Sequence, residues 1–221
     1  MTEATLIILL GSAISIGFIH TLIGPDHYLP FIAISKARSW TTARTLLVTF
    51  ICGLGHVLSS VAIGAVGIGL GTALGNLEAI ESIRGDIASY SLIIFGVAYG
   101  IWGIWKGRKG HGHIHLHNGK HLDVSNARSV TFWTLFIIFV LGPCEPLIPI
   151  LMFPAITHNW YGVALVTMVF GIATITTMCA IVLIGIKGLA TINTQFMEKY
   201  IHAMAGGIIA ISGMAIKLFG I

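Results

Sequence analysis

One short pattern occurs twice in this chain and limits what it can fold into. Gly24-Pro25-Asp26-His27-Tyr28-Leu29-Pro30 returns as Gly142-Pro143-Cys144-Glu145-Pro146-Leu147-Ile148-Pro149. The apolar run that follows returns at the same offset: LVTFICGLGHVLSSVAIGAVGIG from Leu47 aligns without a gap on LVTMVFGIATITTMCAIVLIGIK from Leu165. A gapless internal repeat in apolar sequence points to a transporter built from two related halves. The residues that differ between the copies are the candidates for binding. Asp26 and His27 stand opposite Cys144 and Glu145, and His56 stands opposite Thr174.

Each copy can be divided into membrane spans. Of the residues, 56% are hydrophobic and 9% charged, with a mean hydropathy of +0.93; a soluble domain carries about 25% charge. Runs of about 20 apolar residues can cross a bilayer. Six are expected, over Thr5–Ser35, Thr45–Leu70, Ile87–Trp105, Val130–Pro154, Tyr161–Ile186 and Ile201–Phe219. The expected fold is therefore an all-α membrane protein of two inverted three-helix repeats, residues 1–106 and 129–221, joined by a His-rich cytoplasmic loop at 107–128.

Lysine and arginine set the orientation. Lys36, Arg38, Arg44, Lys106, Arg108, Lys109, Lys120, Arg128, Lys187 and Lys199 all fall in loops on one side, which is read as cytoplasmic. Arg84, Lys217, Glu3, Glu78, Glu81 and Asp86 are assigned to the other side, where both termini are also expected, across a cytoplasmic (plasma) membrane. The stretch before the first apolar run has no basic residue, so no signal peptide is expected. The net charge of +4 is explained by loop orientation without a nucleic-acid partner. The three cysteines, Cys52, Cys144 and Cys179, lie in apolar spans and do not suggest a disulfide framework.

Gly24-Pro25 and Gly142-Pro143 fall near the middle of the first and fourth spans. Proline removes a donor and clashes with the preceding turn, so each helix is expected to break there. Broken backbone at bilayer depth is tolerated where it lines a cavity or is buried in protein. By this reading Asp26 and Glu145 are the only acids within apolar spans, and each closely follows a break. Such carboxylates usually face a pathway.

His20, Asp26 and His27 on span one, with His56 on span two, form a set of imidazole and carboxylate donors suited to a transition metal. Cys144 and Glu145 are candidate ligands from the second half. Ser59, Ser60, Thr174 and Thr177, with the Gly-Pro pairs, are candidate pathway or hinge residues. His111, His113, His115, His117 and His121 crowd the third loop and suggest an accessory chelating segment.

These residues resemble the nickel/cobalt transporter superfamily, especially its six-span urease-accessory-type, nickel/cobalt-efflux and sulfite-exporter-like members. The likeness rests on His20-Thr-Leu-Ile-Gly-Pro-Asp26-His27, on Gly55-His56 and on the His-rich loop. The family's nickel permeases place four residues between the first His and Asp-His, and here there are five. The resemblance implies secondary transport of divalent transition-metal ions, Ni²⁺ or Co²⁺ first, with the ion as substrate and no cofactor.

Two other classes compete with that expectation. One is export of sulfite or another small anion, disfavoured by the buried carboxylates. The other is a membrane thiol–disulfide electron carrier. Related six-span proteins of cytochrome c maturation carry a cysteine after a proline in each repeat, and here only Cys144 does so, with Asp26 in the twin position. No segment outside the spans is large enough for a catalytic domain, so an enzyme is not expected. The 27 glycines permit close helix packing, within one chain or in a homo-oligomer.

Overall fold

The computed structural model describes the backbone of residues 2–70, 74–108, 124–142, 144, 146–190 and 200–219. Among them the chain is helical throughout: α1 Glu3–Ile23, a 3-10 turn Pro25–His27, α2 Leu29–Ala37, α3 Thr42–Gly69, α4 Leu74–Arg108, α5 Val124–Leu141, α6 Leu147–Ile156, α7 Trp160–Ala190 and α8 Ile201–Phe219. Local chemistry sets several of these boundaries. Thr2 and Thr41 cap α1 and α3 by accepting the N–H groups of Thr5 and Arg44, each at 3.3 Å. Asn159 does the same for α7, through the N–H of Gly162 at 2.9 Å.

The polar groups and the apolar bulk have changed places relative to a soluble protein. Ile7, Ile94, Ile172 and Ile184 are 60% exposed or more, whereas Thr21, Thr45, Thr49, Ser60, Glu81 and Thr174 are fully buried. That arrangement suits a hydrocarbon solvent, in which isoleucine pays no penalty for exposure and an unpaired hydroxyl does. The chain is a multi-pass membrane protein in contact with lipid.

Five helices among the described residues are long and apolar enough to cross: Glu3–Ile23, Thr42–Gly69, Asn76–Arg108, Trp160–Ala190 and Ile201–Leu218. The sequence predicts six. The expected fourth span is divided between α5, of 18 residues, and α6, of 10, and is not among the five. The first run is divided as well, at Gly24–Tyr28, but α1 keeps 21 residues and crosses unaided.

The expected third span also needs correction. α4 begins at Leu74 instead of Ile87 and carries Glu78, Glu81, Arg84 and Asp86 in helix. Glu81 is fully buried and Arg84 is 9% exposed, so neither is the outer-loop charge that hydropathy suggests.

The packing partners form a regular set. α4 lies along α8, and α3 along α7; α1 packs on α7 as α5 does on α3, and α2 packs on α8 as α6 does on α4. The α4–α8 seam is made of small residues. A Cβ on Gly206 would overlap the backbone of Gly100 and Gly96, and one on Gly96 would overlap Ala210 and Gly206. Such seams let two membrane helices approach by backbone contact.

Candidate functional site

The first break is stabilised by its own side chains. Gly24 ends α1 by donating its N–H to the His20 carbonyl at 3.0 Å, and Pro25, which has no N–H, opens the 3-10 turn. A Cβ on Gly24 would sit 2.9 Å from Asp26 Oδ1 and closer still to the His27 ring, so the turn needs glycine here. The turn directs His27 inward, where it is 2% exposed. His27 Nδ1 faces Asp26 Oδ1 at 3.0 Å and the Gly24 carbonyl at 3.2 Å. Both are acceptors, so Nδ1 carries the proton and Nε2 is left with a lone pair.

His56, at mid-length of α3, repeats the arrangement. Its Nδ1 donates to the Phe139 carbonyl of α5 at 3.3 Å, which again leaves Nε2 bare. His20 lies on α1 beside His27, with ring centroids 4.8 Å apart. One ligand atom from each of His20, His27 and His56 falls within 4.8 Å of the others. The Nε2 atoms of all three are buried with no hydrogen-bond partner, as is Thr174 Oγ1 on α7. Three imidazoles that bring ligand atoms to that separation form a donor set for a transition-metal ion, with Asp26 orienting one ring from behind.

The second break is held differently. Cys144 is fully buried between α5 and α6, in the cluster with Leu147, Leu151 and Phe170. Its N–H donates to Ser60 Oγ and to Glu81 Oε2, each at 3.1 Å. Ser60 Oγ lies 3.1 Å from the same carboxylate oxygen. Glu81 is paired with Arg84. Arg84 Nη2 in turn donates to the carbonyls of Val140 at 2.8 Å and Gly142 at 3.1 Å, and to Ser59 Oγ at 2.7 Å. A cation from α4 therefore satisfies the carbonyls at the end of α5. The two centres adjoin at Gly142, where a Cβ would come within 3.2 Å of Nδ1 of His56.

The sequence-predicted residues are thus distributed over two centres. His20, Asp26, His27 and His56 gather at the first, with Gly24 and Pro25 forming the turn. Cys144, Ser59, Ser60 and Gly142 belong to the second, where Cys144 is held through its backbone. Thr177 turns back on its own helix, donating to the Ala173 carbonyl at 2.7 Å. Pro143, Glu145 and the loop histidines His111, His113, His115, His117 and His121 lie outside the described residues. Glu81 and Arg84 are the functional-site residues that sequence reasoning missed. An acid and a base three apart, among Ile80, Ser82 and Ile83, were the available signal.

Residues 29–215 match the family model described as "Cytochrome C biogenesis protein transmembrane region". No curated protein and no solved structure match. The matched family is of the thiol–disulfide electron-carrier type. It overturns the resemblance to nickel/cobalt transporters, and with it the expectation of transition-metal transport.

Proposed function

Since the chain belongs to the cytochrome c biogenesis transmembrane family, we propose that it carries reducing equivalents across a membrane by thiol–disulfide exchange, with Cys144 as its working thiol. The carrying observation is the place of that thiol. Cys144 sits in the gap between α5 and α6, and the N–H of the same residue is fixed by Ser60 and Glu81. Neither Cys52 nor Cys179 lies at a break; they are internal to α3 and α7.

A single thiol can complete the exchange through a mixed disulfide. On one side the Cys144 thiolate attacks a disulfide R–S–S–R, forming Cys144–S–S–R and releasing one thiolate. Once the site opens to the other side, a dithiol donor attacks the R sulfur of that mixed disulfide and frees Cys144; the donor's second thiol then releases R–SH on that side and closes the donor's disulfide, so the R–S group crosses with the carrier. Two electrons pass from dithiol to disulfide, and the donor's two protons end on the two R–SH products.

The carrier is built as two inverted halves, 1–106 and 129–221, linked by 107–128, with the basic loops on the cytoplasmic side of the plasma membrane. Supporting this is the reciprocal packing: exchanging the halves turns the α1–α7 contact into α5–α3, and α2–α8 into α6–α4.

The test is electron transfer in sealed proteoliposomes holding a reduced dithiol protein inside and an impermeant chromogenic disulfide outside. Colour should develop with the wild-type chain and be lost in Cys144→Ser, while Cys52→Ala and Cys179→Ala retain it. Colour that persists in Cys144→Ser would dismiss the proposal.

A second reading is favoured by the three unpartnered Nε2 atoms: the first break holds a resident transition-metal ion, bound by His20, His27 and His56. The ion would tie α1, the turn and α3 together. Zn²⁺ titrated into the full chain with its five loop histidines changed to Asn should bind at one ion per chain. His56→Ala should abolish that binding, and failure of the parent to bind would remove the reading.

A further inference from the structure

A charged side chain buried within a membrane protein is costly to insert and calls for a partner. The buried Glu81–Arg84 pair therefore calls for a task that packing alone does not set. Its contacts define one. Glu81 Oε2 accepts the N–H of Cys144, and Arg84 donates to the Val140 and Gly142 carbonyls just before it. Ser59 and Ser60 bind the pair from α3. Every described hydrogen bond of the pair thus ends on itself, on those two serines or on the second break.

The geometry points to Glu81 and Arg84 as positioning residues for Cys144, fixing the backbone that carries the thiol and setting by their opposite charges how readily it becomes thiolate. The inference rests on the reading of Cys144 as the working thiol. A carboxylate oxygen 3.1 Å from the cysteine's own N–H opposes a second negative charge on that residue. The guanidinium bound to the same carboxylate opposes that effect. The first half has no counterpart, because Asp26 occupies the twin position and is engaged by His27.

A cavity of about 460 Å³ lies beside the centre, lined by Glu78 and Ser82, which flank Glu81 on α4, and by Pro146 and Pro149, which follow Cys144. Cys144 itself is fully buried, so a thiol-directed reagent reaches it only when the break opens.

The experiment measures alkylation of Cys144 by N-ethylmaleimide in the full-length chain carrying Cys52→Ala and Cys179→Ala. Glu81→Gln keeps an acceptor for the Cys144 N–H and removes the charge, so the rate should rise about tenfold. Arg84→Gln should lower it by a similar factor. Glu81→Asp retains the charge and should stay near the parent rate, which covers the case in which Arg84→Gln does not fold. Equal acceleration in Glu81→Gln and Arg84→Gln, or in Glu81→Gln and Glu81→Asp, would mean loosened packing and overturn the inference. No acceleration in Glu81→Gln would overturn it as well. Alkylation needs no electron transfer. If Cys144→Ser still passes electrons, the carrier reading fails while these rates still report on Glu81.

Discussion

The rings of His27 and His56 stand edge to face, with centroids 5.1 Å apart and planes at 89°. Neither is held by the other. His27 is anchored on its own turn and on Asp26, and His56 on a carbonyl of α5. Each anchor occupies Nδ1 and leaves Nε2 buried without a partner. The donor set is thus arranged by backbone oxygens and one carboxylate, before any ion arrives.

Asp26→Asn should therefore weaken Zn²⁺ binding without removing a ligand. Loss of an outer-shell carboxylate behind a metal-binding histidine typically reduces affinity by about 10–100-fold. Calorimetric titration of the chain lacking its loop histidines gives the number; unchanged affinity would show that Asp26 does not orient His27.

Gly24→Ala should disturb the same centre from the backbone side. The new methyl would meet Asp26 Oδ1 and the His27 ring, so the turn has to open. Zn²⁺ binding should fall, and thermal stability should drop by about 1–3 kcal/mol, as expected for overpacking. Gly11→Ala, which meets nothing, serves as the control.

The two ends of the buried ion pair should be unequal to lose singly and milder to lose together. Arg84→Met leaves Glu81 as an unpaired buried charge and should destabilise by about 3–5 kcal/mol. Glu81→Leu combined with Arg84→Met removes both charges and should cost less than Arg84→Met alone. Denaturant unfolding in detergent compares them, and additive losses would contradict the coupling.

Along the α4–α8 seam the prediction is positional. Gly206→Ala places a methyl against the backbone of Gly100 and Gly96, which cannot swing aside. Gly100→Ala places one 3.6 Å from the Ala203 carbonyl, an ordinary contact. Unfolding temperature should fall for the first and hold for the second.

Some of this was legible in the chain. Apolar runs mark the helices, and the duplicated Gly-Pro marks the interruptions at Gly24 and Gly142. His20, His27 and His56 are marked because imidazole is rare at such depth. Glu81 and Arg84 were not legible, since hydropathy averages the start of α4 into a polar loop and cannot see that an acid and a base three apart neutralise one another. The division of the fourth span was half legible: a break was expected there, but not that the helix beyond it, α6, is only 10 residues long. The family was misread because the histidines and Asp26 outweighed a single cysteine.

Arg84 also limits what each half can do without the other. Its guanidinium comes from the N-terminal half of the chain, and the carbonyls it satisfies, Val140 and Gly142, lie in the C-terminal half. Among the described residues no reciprocal loan appears at the first break, where His27 serves the Gly24 carbonyl from within the same turn. A fragment ending near residue 106 keeps that local bond, whereas one beginning near 129 would enter lipid with two carbonyls lacking their cation. For those two carbonyls the C-terminal half therefore depends on the N-terminal half.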